Sequence, residues 1–179
     1  NKRFIFIGGG FLGVLVPVLF LTIWFYFDNK VHTKDDLNII GRPVLAEIPF
    51  VNEELSSLNN LTVSSRSSLI ESFRMLLANL SFIVKKPTGN TILVTSTIKG
   101  EGKTLVSTYL SKLLSFRNKK ILLIGTDLRN PQIHSYLGVD KYSSKGLADY
   151  LHIDDLKWED LIIKNDNLDI ILSGVIPPN

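Results

Sequence analysis

One apolar block stands out along the chain. Residues 4–27, FIFIGGGFLGVLVPVLFLTIWFYF, carry no charge; Lys2 and Arg3 precede them, and Asp28, Asn29 and Lys30 follow. As a helix rising ~1.5 Å per residue this block is ~36 Å long, enough to cross a hydrocarbon core of ~30 Å with some tilt. Trp24 and Tyr26 fall near its second end, where amphipathic aromatics favour the headgroup region. A secretory signal is the rival reading. Its apolar region is shorter and is followed by a small-residue cleavage site, whereas this block ends in bulky WFYFD. The pattern therefore predicts a transmembrane helix. Basic residues lie on both sides, at Lys2 and Arg3 and at Lys30 and Lys34, so charge leaves its orientation open. Gly9 and Gly13 form a Gly-xxx-Gly pair of the kind that lets another helix approach closely, although glycine is also common in such helices, and Pro17 is a position where the helix could kink.

Beyond the block the pattern changes period. Residues 41–49, GRPVLAEIP, read as an extended connector punctuated by turns, and residues 52–65 as a polar loop. Ser67 or Ser68 offers an N-cap for a helix to about Val84, with Leu69, Phe73, Leu76, Leu77 and Leu80 on one apolar face. Residues 85–90, KKPTGN, are a loop. Residues 91–97, TILVTST, read as a strand, followed by a glycine-rich turn and a helix over about 102–116. The run KKILLIGTD then reads as a buried parallel strand. QIHSYLG, GLADYL and DLKWEDLII read as short helices, and residues 168–174, LDIILSG, as another strand. Strands alternating with helices predict an α/β fold: a P-loop parallel sheet with flanking helices, preceded by one transmembrane helix.

Composition narrows the chemistry. The 179 residues include no cysteine, which excludes a disulfide framework, a cysteine zinc site and a thiol nucleophile. The formal charge of +3 is small. With Lys2 and Arg3 lying before the apolar block, the remainder is nearly neutral, so nothing argues for nucleic acid as a partner.

The sharpest motif is TILVTSTIKGEGKT running into a helix. Strand, glycine-rich loop and helix in that order are what a phosphate loop requires. Gly100 and Gly102 allow close backbone approach, and backbone N–H groups at a helix start can point at phosphate oxygens. In this reading Lys99, Gly100, Glu101, Gly102, Lys103 and Thr104 line the nucleotide. Lys103 meets the β- and γ-phosphates of ATP, and the Thr104 hydroxyl ligates Mg²⁺. The strict pattern G-x-x-x-x-G-K-[ST] is not met, because Thr97 stands where the first glycine belongs. Asp127, after the second apolar run, sits where open α/β sheets gather ligands; a carboxylate there can hold Mg²⁺ or orient an attacking hydroxyl. The alternative is a turn aspartate before Pro131.

These stretches resemble a family: bacterial polysaccharide-biosynthesis tyrosine autokinases fused to a chain-length-determinant membrane region. DNKVHTKDDLNIIGRPVLAEIP is similar to the stretch after that region's second membrane helix. ESFRMLLANLSF is similar to the family's E-A-F-R-x-L-R-x-N-L helix, VTSTIKGEGKT to its Walker A loop, and ILLIGTDLRNP to its second Walker motif, usually I-D-x-D-L-R-x-P. KGLADYL and ILSGVIPPN match further downstream stretches. The resemblance implies ATP and Mg²⁺ as cofactors, with Lys103 and Asp127 as catalytic residues. It implies a homo-oligomeric ring in which Glu71 and Arg74 belong to the inter-subunit motif E-x-x-R-x-x-R. It also implies partners in the bilayer and in the polysaccharide export and polymerisation machinery, and an inner-membrane site with the ATPase domain in the cytoplasm. Domains are then expected at 1–30 (membrane helix and flanks), 31–65 (juxtamembrane connector) and 66–179 (ATPase domain cut short before Walker B, in a fragment of a longer protein).

Three positions depart from the pattern. Gly125 stands where the first aspartate of I-D-x-D belongs, Leu77 where the last arginine of E-x-x-R-x-x-R belongs, and Lys99 where proline is usual. Leu77 is expected to weaken the ring contact or replace it with an apolar one. A catalytically weak ATP-binding regulator and a membrane-tethered partitioning-type ATPase are the alternatives to the kinase. His32, His134 and His152 lack metal-ligand spacing. Asp154 with Asp155, and Glu159 with Asp160, read as solvated cap residues, and Tyr109, Tyr142 and Tyr150 are scattered rather than clustered as phosphate acceptors.

Overall fold

The computed structural model describes residues 2–28, 30–31, 33, 35–50, 67–84, 89–141, 145–165 and 167–174. The chain divides into two compact units, residues 1–44 and 45–179. In the first, helix α1 (Lys2–Tyr26) covers the apolar block. Its most apolar window has a mean hydropathy of 2.5 and none of it is buried by protein, so it is long and apolar enough to cross a membrane. The Thr22 hydroxyl, near the middle of the second half of that block, donates to the Val18 carbonyl at 2.8 Å, as a polar group must inside an apolar helix. A 3₁₀ helix follows at Asp35–Ile40.

In the second unit helix α2 (Ser68–Ile83) starts where capping chemistry dictates: the Ile70 N–H donates to Ser67 Oγ. Leu69, Ile70, Phe73 and Leu77 are buried and meet Tyr109, Leu110 and Leu113 of helix α3 (Lys103–Ser115). Phe73 stacks on Tyr109 with ring centroids 5.3 Å apart, and the Lys112 ammonium lies 5.6 Å from the Tyr109 centroid. Burial lowers the Lys112 pKa, and its Nζ donates to the Tyr136 carbonyl. The connector is tied to this cluster by Asn79, whose side-chain amide donates to the Leu45 carbonyl, and by Ile48.

Among the described residues the sheet has two strands, β1 (Ile121–Ile124) and β2 (Leu168–Ile171), paired parallel with Ile121 opposite Leu168. Parallel pairing needs a crossover, supplied by helices α4 (Ile133–Leu137) and α5 (Leu147–His152). Leu123, Leu168, Ile170 and Leu172 form a second core with Ile133, Leu137 and Val139.

The structure corrects the reading of residues 91–97 as a strand. Among the described residues this segment joins no ladder, and Ile92 and Leu93 are exposed. A strand exists only with a neighbour to take its backbone hydrogen bonds, and a run of apolar residues cannot supply one. Of DLKWEDLII, residues Trp158–Leu161 form a 3₁₀ turn that buries Leu161, and Ile163 bridges antiparallel to Ile170 of β2 instead of continuing a helix. The polar loop 52–65 lies outside the described residues, as do residues 85–88 of the KKPTGN loop.

Candidate phosphate-loop site

The turn before α3 is built on two glycines. Gly100 and Gly102 both have φ of 91°, a left-handed conformation that a side chain strains, and a Cβ at either would meet nothing within 4 Å. The space beside both glycines is open, so nothing in the fold blocks a ligand's approach to the turn. Gly102 is also the N-cap of α3 and offers no side chain to its first N–H groups. The first turn of α3 holds no acid. It begins instead with Lys103, a cation at the positive end of the helix dipole. That choice works against the helix itself and in favour of an anion placed there.

The loop closes on itself. Lys103 Nζ donates to Ser96 Oγ at 2.7 Å and to the Ile98 carbonyl at 3.3 Å. Ser96 Oγ in turn donates to the Ile98 carbonyl at 2.9 Å. Glu101 accepts from the Ile98 N–H at 3.1 Å and, more weakly, from Thr97 Oγ1 at 3.5 Å. These bonds hold the Glu101 carboxyl below its ordinary value, the Ile98 backbone bond chief among them. The carboxylate thus takes a backbone donor of the kind that would otherwise face a phosphate oxygen. Lys99 and Gly100 lie exposed at the loop's tip, and Thr104 is half-buried in the first turn of α3.

Asp127 is exposed beyond the end of β1. Its Oδ1 accepts from the N–H groups of Arg129 and Asn130, at 3.2 and 2.9 Å, so it organises its own turn before Pro131. Helix α3 is joined to β1 by a short connection and packs against it. Among the described residues no three histidine or acidic side chains gather into a metal cluster. A magnesium ion carried by a nucleotide does not call for one, since phosphates and water supply most of its ligands. A threonine and a single aspartate fit that demand.

Glu71 and Arg74 form an exposed ion pair one helical turn apart, Nη1 to Oε2 at 3.0 Å. Leu77 points the other way, 5% exposed within the α2–α3 core. The apolar contact expected of it is made inside the chain, because a residue six positions after Glu71 has rotated onto the buried face. Tyr109 is buried, Tyr150 is exposed, and Tyr142 and His32 lie outside the described residues. Sequence reasoning missed Ser96 and Ser173. Ser96 lay inside the motif; the place of Ser173 against Gly125, a contact across the sheet, left no signal along the chain.

No family model matches the chain. Individual proteins do. The whole chain aligns at 25% identity, over 198 alignment positions, with the tyrosine-protein kinase wzc of Salmonella typhi, covering 27% of it. It is 30% identical over 110 residues to the tyrosine-protein kinase YwqD of Bacillus subtilis, covering 61% of this chain and 46% of that one. Among solved structures, the kinase domain of the Escherichia coli tyrosine kinase ETK superposes with a TM-score of 0.67 at 25% identity, covering 84% of this chain and 63% of that one. The chimerical protein CapA2B2 gives 0.65 at 28%, covering 82% and 62%. The chain has the α/β fold of these kinase domains, a short parallel sheet with flanking helices, with one apolar helix at its N-terminal end. It is a relative of the bacterial tyrosine kinases. It spans about a quarter of the length of the first curated relatives it matches.

Proposed function

We propose that the chain is the membrane-anchored, ATP-handling part of a protein-tyrosine autokinase that governs the length and export of a bacterial surface polysaccharide. The observation that carries this reading is the loop from Ser96 to Lys103: an open double-glycine turn, an uncapped helix start and a lysine at the helix's positive end, in a chain related to tyrosine kinases. Lys103 and the first N–H groups of α3 would hold the β- and γ-phosphates of ATP, lined by Lys99, Gly100, Glu101 and Gly102. Thr104 and the Asp127 carboxylate oxygen not used in its turn would hold Mg²⁺, directly or through water. The metal, when bound, neutralises charge building on the transferred phosphoryl group. The protein's own part is to position the phosphates and exclude competing contacts. Lys103 must leave Ser96 for the phosphates, and Glu101 must release the Ile98 N–H.

In this reading α1 spans the inner membrane, the unit from Leu45 onward lies in the cytoplasm, and Glu71 with Arg74 contributes to a ring of copies. The export and polymerisation machinery is the partner. Lys103→Met in the full protein is expected to abolish ATP binding and tyrosine phosphorylation. Phosphotyrosine persisting in that variant would sink the kinase reading.

A second reading, an ATP-binding regulator of chain length with little catalysis, is favoured by Gly125, which leaves one acid fewer beside the nucleotide. It predicts normal polysaccharide length in cells whose protein carries no phosphotyrosine.

A further inference from the structure

Gly125 follows β1 directly, and it is buried. Its N–H donates to the Ile171 carbonyl at 2.9 Å, continuing the parallel ladder one step beyond the strands. The next rung is made by a side chain: Ser173 Oγ donates to the Gly125 carbonyl at 3.0 Å. That hydroxyl also occupies the space a side chain at position 125 would need. A Cβ built on Gly125 would lie 2.8 Å from Ser173 Oγ, 3.2 Å from Ser173 N and 3.3 Å from Ile133 Cδ1.

Ser173 cannot easily withdraw. It is 5% exposed, and its own carbonyl accepts from the Ala148 N–H at 2.8 Å at the start of α5. The neighbouring Leu172 carbonyl accepts from the Leu147 N–H at 2.9 Å. The backbone of Ser173 is therefore held by α5 while its side chain holds the end of β1. Thr126 and Asp127 hang from that held end.

We infer that Ser173 is a positioning residue for the Asp127 turn, and that Gly125 and Ser173 form a matched pair in which a hydroxyl from the neighbouring strand replaces any side chain at 125. The acid missing from the second Walker motif is thus not an isolated loss. Its site is filled, and simply putting aspartate back sets the new Cβ against the clamp. This inference rests on the reading of Asp127 as a magnesium-holding group.

The test is a mutant cycle on the full chain in detergent: the parent, Ser173→Ala, Gly125→Asp and the double variant. Thermal midpoints are measured, together with the affinity for a fluorescent ADP analogue with and without Mg²⁺. Ser173→Ala is expected to weaken the Mg²⁺-dependent affinity by about fivefold, the effect of one net hydrogen bond, while leaving the Mg²⁺-free affinity unchanged. Gly125→Asp is expected to lower the midpoint, and adding Ser173→Ala to recover most of that loss. A lower midpoint in Ser173→Ala with Mg²⁺-dependent affinity intact would overturn the positioning role, leaving Ser173 merely structural. Additive midpoints, or a Gly125→Asp variant as stable as the parent, would overturn the matched pair. A parent that binds no nucleotide in either condition defeats the proposed function and the positioning role with it, while the midpoints still decide the pairing.

Discussion

The Lys103 ammonium donates to Ser96 Oγ across 2.7 Å, bridging the two ends of the glycine-rich turn. The lysine that the motif assigns to phosphate is thus already engaged, at the other mouth of the same loop. With Glu101 on the Ile98 N–H, the loop satisfies its own cation and one of its own donors. Glu101 is ionised at neutral pH as any ordinary carboxylate is, and the hydrogen bonds that hold it below its usual range extend this closure further into acid.

Removing the partner of Lys103 should therefore favour the nucleotide. Ser96→Ala takes away the shorter of the two contacts that hold Lys103 in the closed loop, leaving the longer one to the Ile98 carbonyl, so ATP affinity should rise by about threefold, a modest hydrogen bond's worth. Titration calorimetry of the variant checks this. Weaker binding would mean that Ser96 also orients Lys103 in the bound state.

Restoring the family's arginine at position 77 should fail as a way to strengthen association between copies. Leu77 is packed with Phe73 between α2 and α3, and a guanidinium there has no partner within the core. Leu77→Arg should cost roughly 3 kcal/mol or more by chemical denaturation. A stable variant with increased oligomer would show that position 77 reaches the surface in solution.

Phe73 is the centre of that cluster, fully buried and stacked on Tyr109. Phe73→Ala should cost about 3–5 kcal/mol, the transfer of the ring plus the cavity left behind. Because α3 carries the proposed phosphate loop at its start, nucleotide affinity should fall with stability. A loss below 1 kcal/mol would mean α2 does not anchor α3.

His134 gives a pH signature. Burial lowers its pKa below the ordinary 6.5, the charge of Lys141 adds to this, and Asp140 partly offsets it. The unfolded chain then binds the proton more readily than the fold. Stability should be flat above pH 6.5 and fall as pH drops through 6.5 toward the lowered value. Melting midpoints between pH 8 and 5 should show a shallower acid slope in His134→Gln; identical slopes would exclude His134 as the cause.

Much of this protein was legible along the chain because the relevant signals are local. A long uncharged run decides a membrane-length helix by itself. The Ser67 cap and the 3.6-residue spacing of Leu69, Phe73 and Leu77 decide α2, and the glycine-rich run decides the turn that opens α3, since capping, period and backbone freedom are properties of neighbours in sequence. The tertiary structure alone decided what depends on distant partners. Residues 91–97 are apolar enough for a strand but take no ladder among the described residues, because pairing belongs to the neighbour as much as to the segment. Leu77 belongs to the core rather than to a surface motif. Gly125 reads along the chain as a missing acid; its meaning comes from Ser173, 48 residues away, whose hydroxyl fills the space and completes the rung.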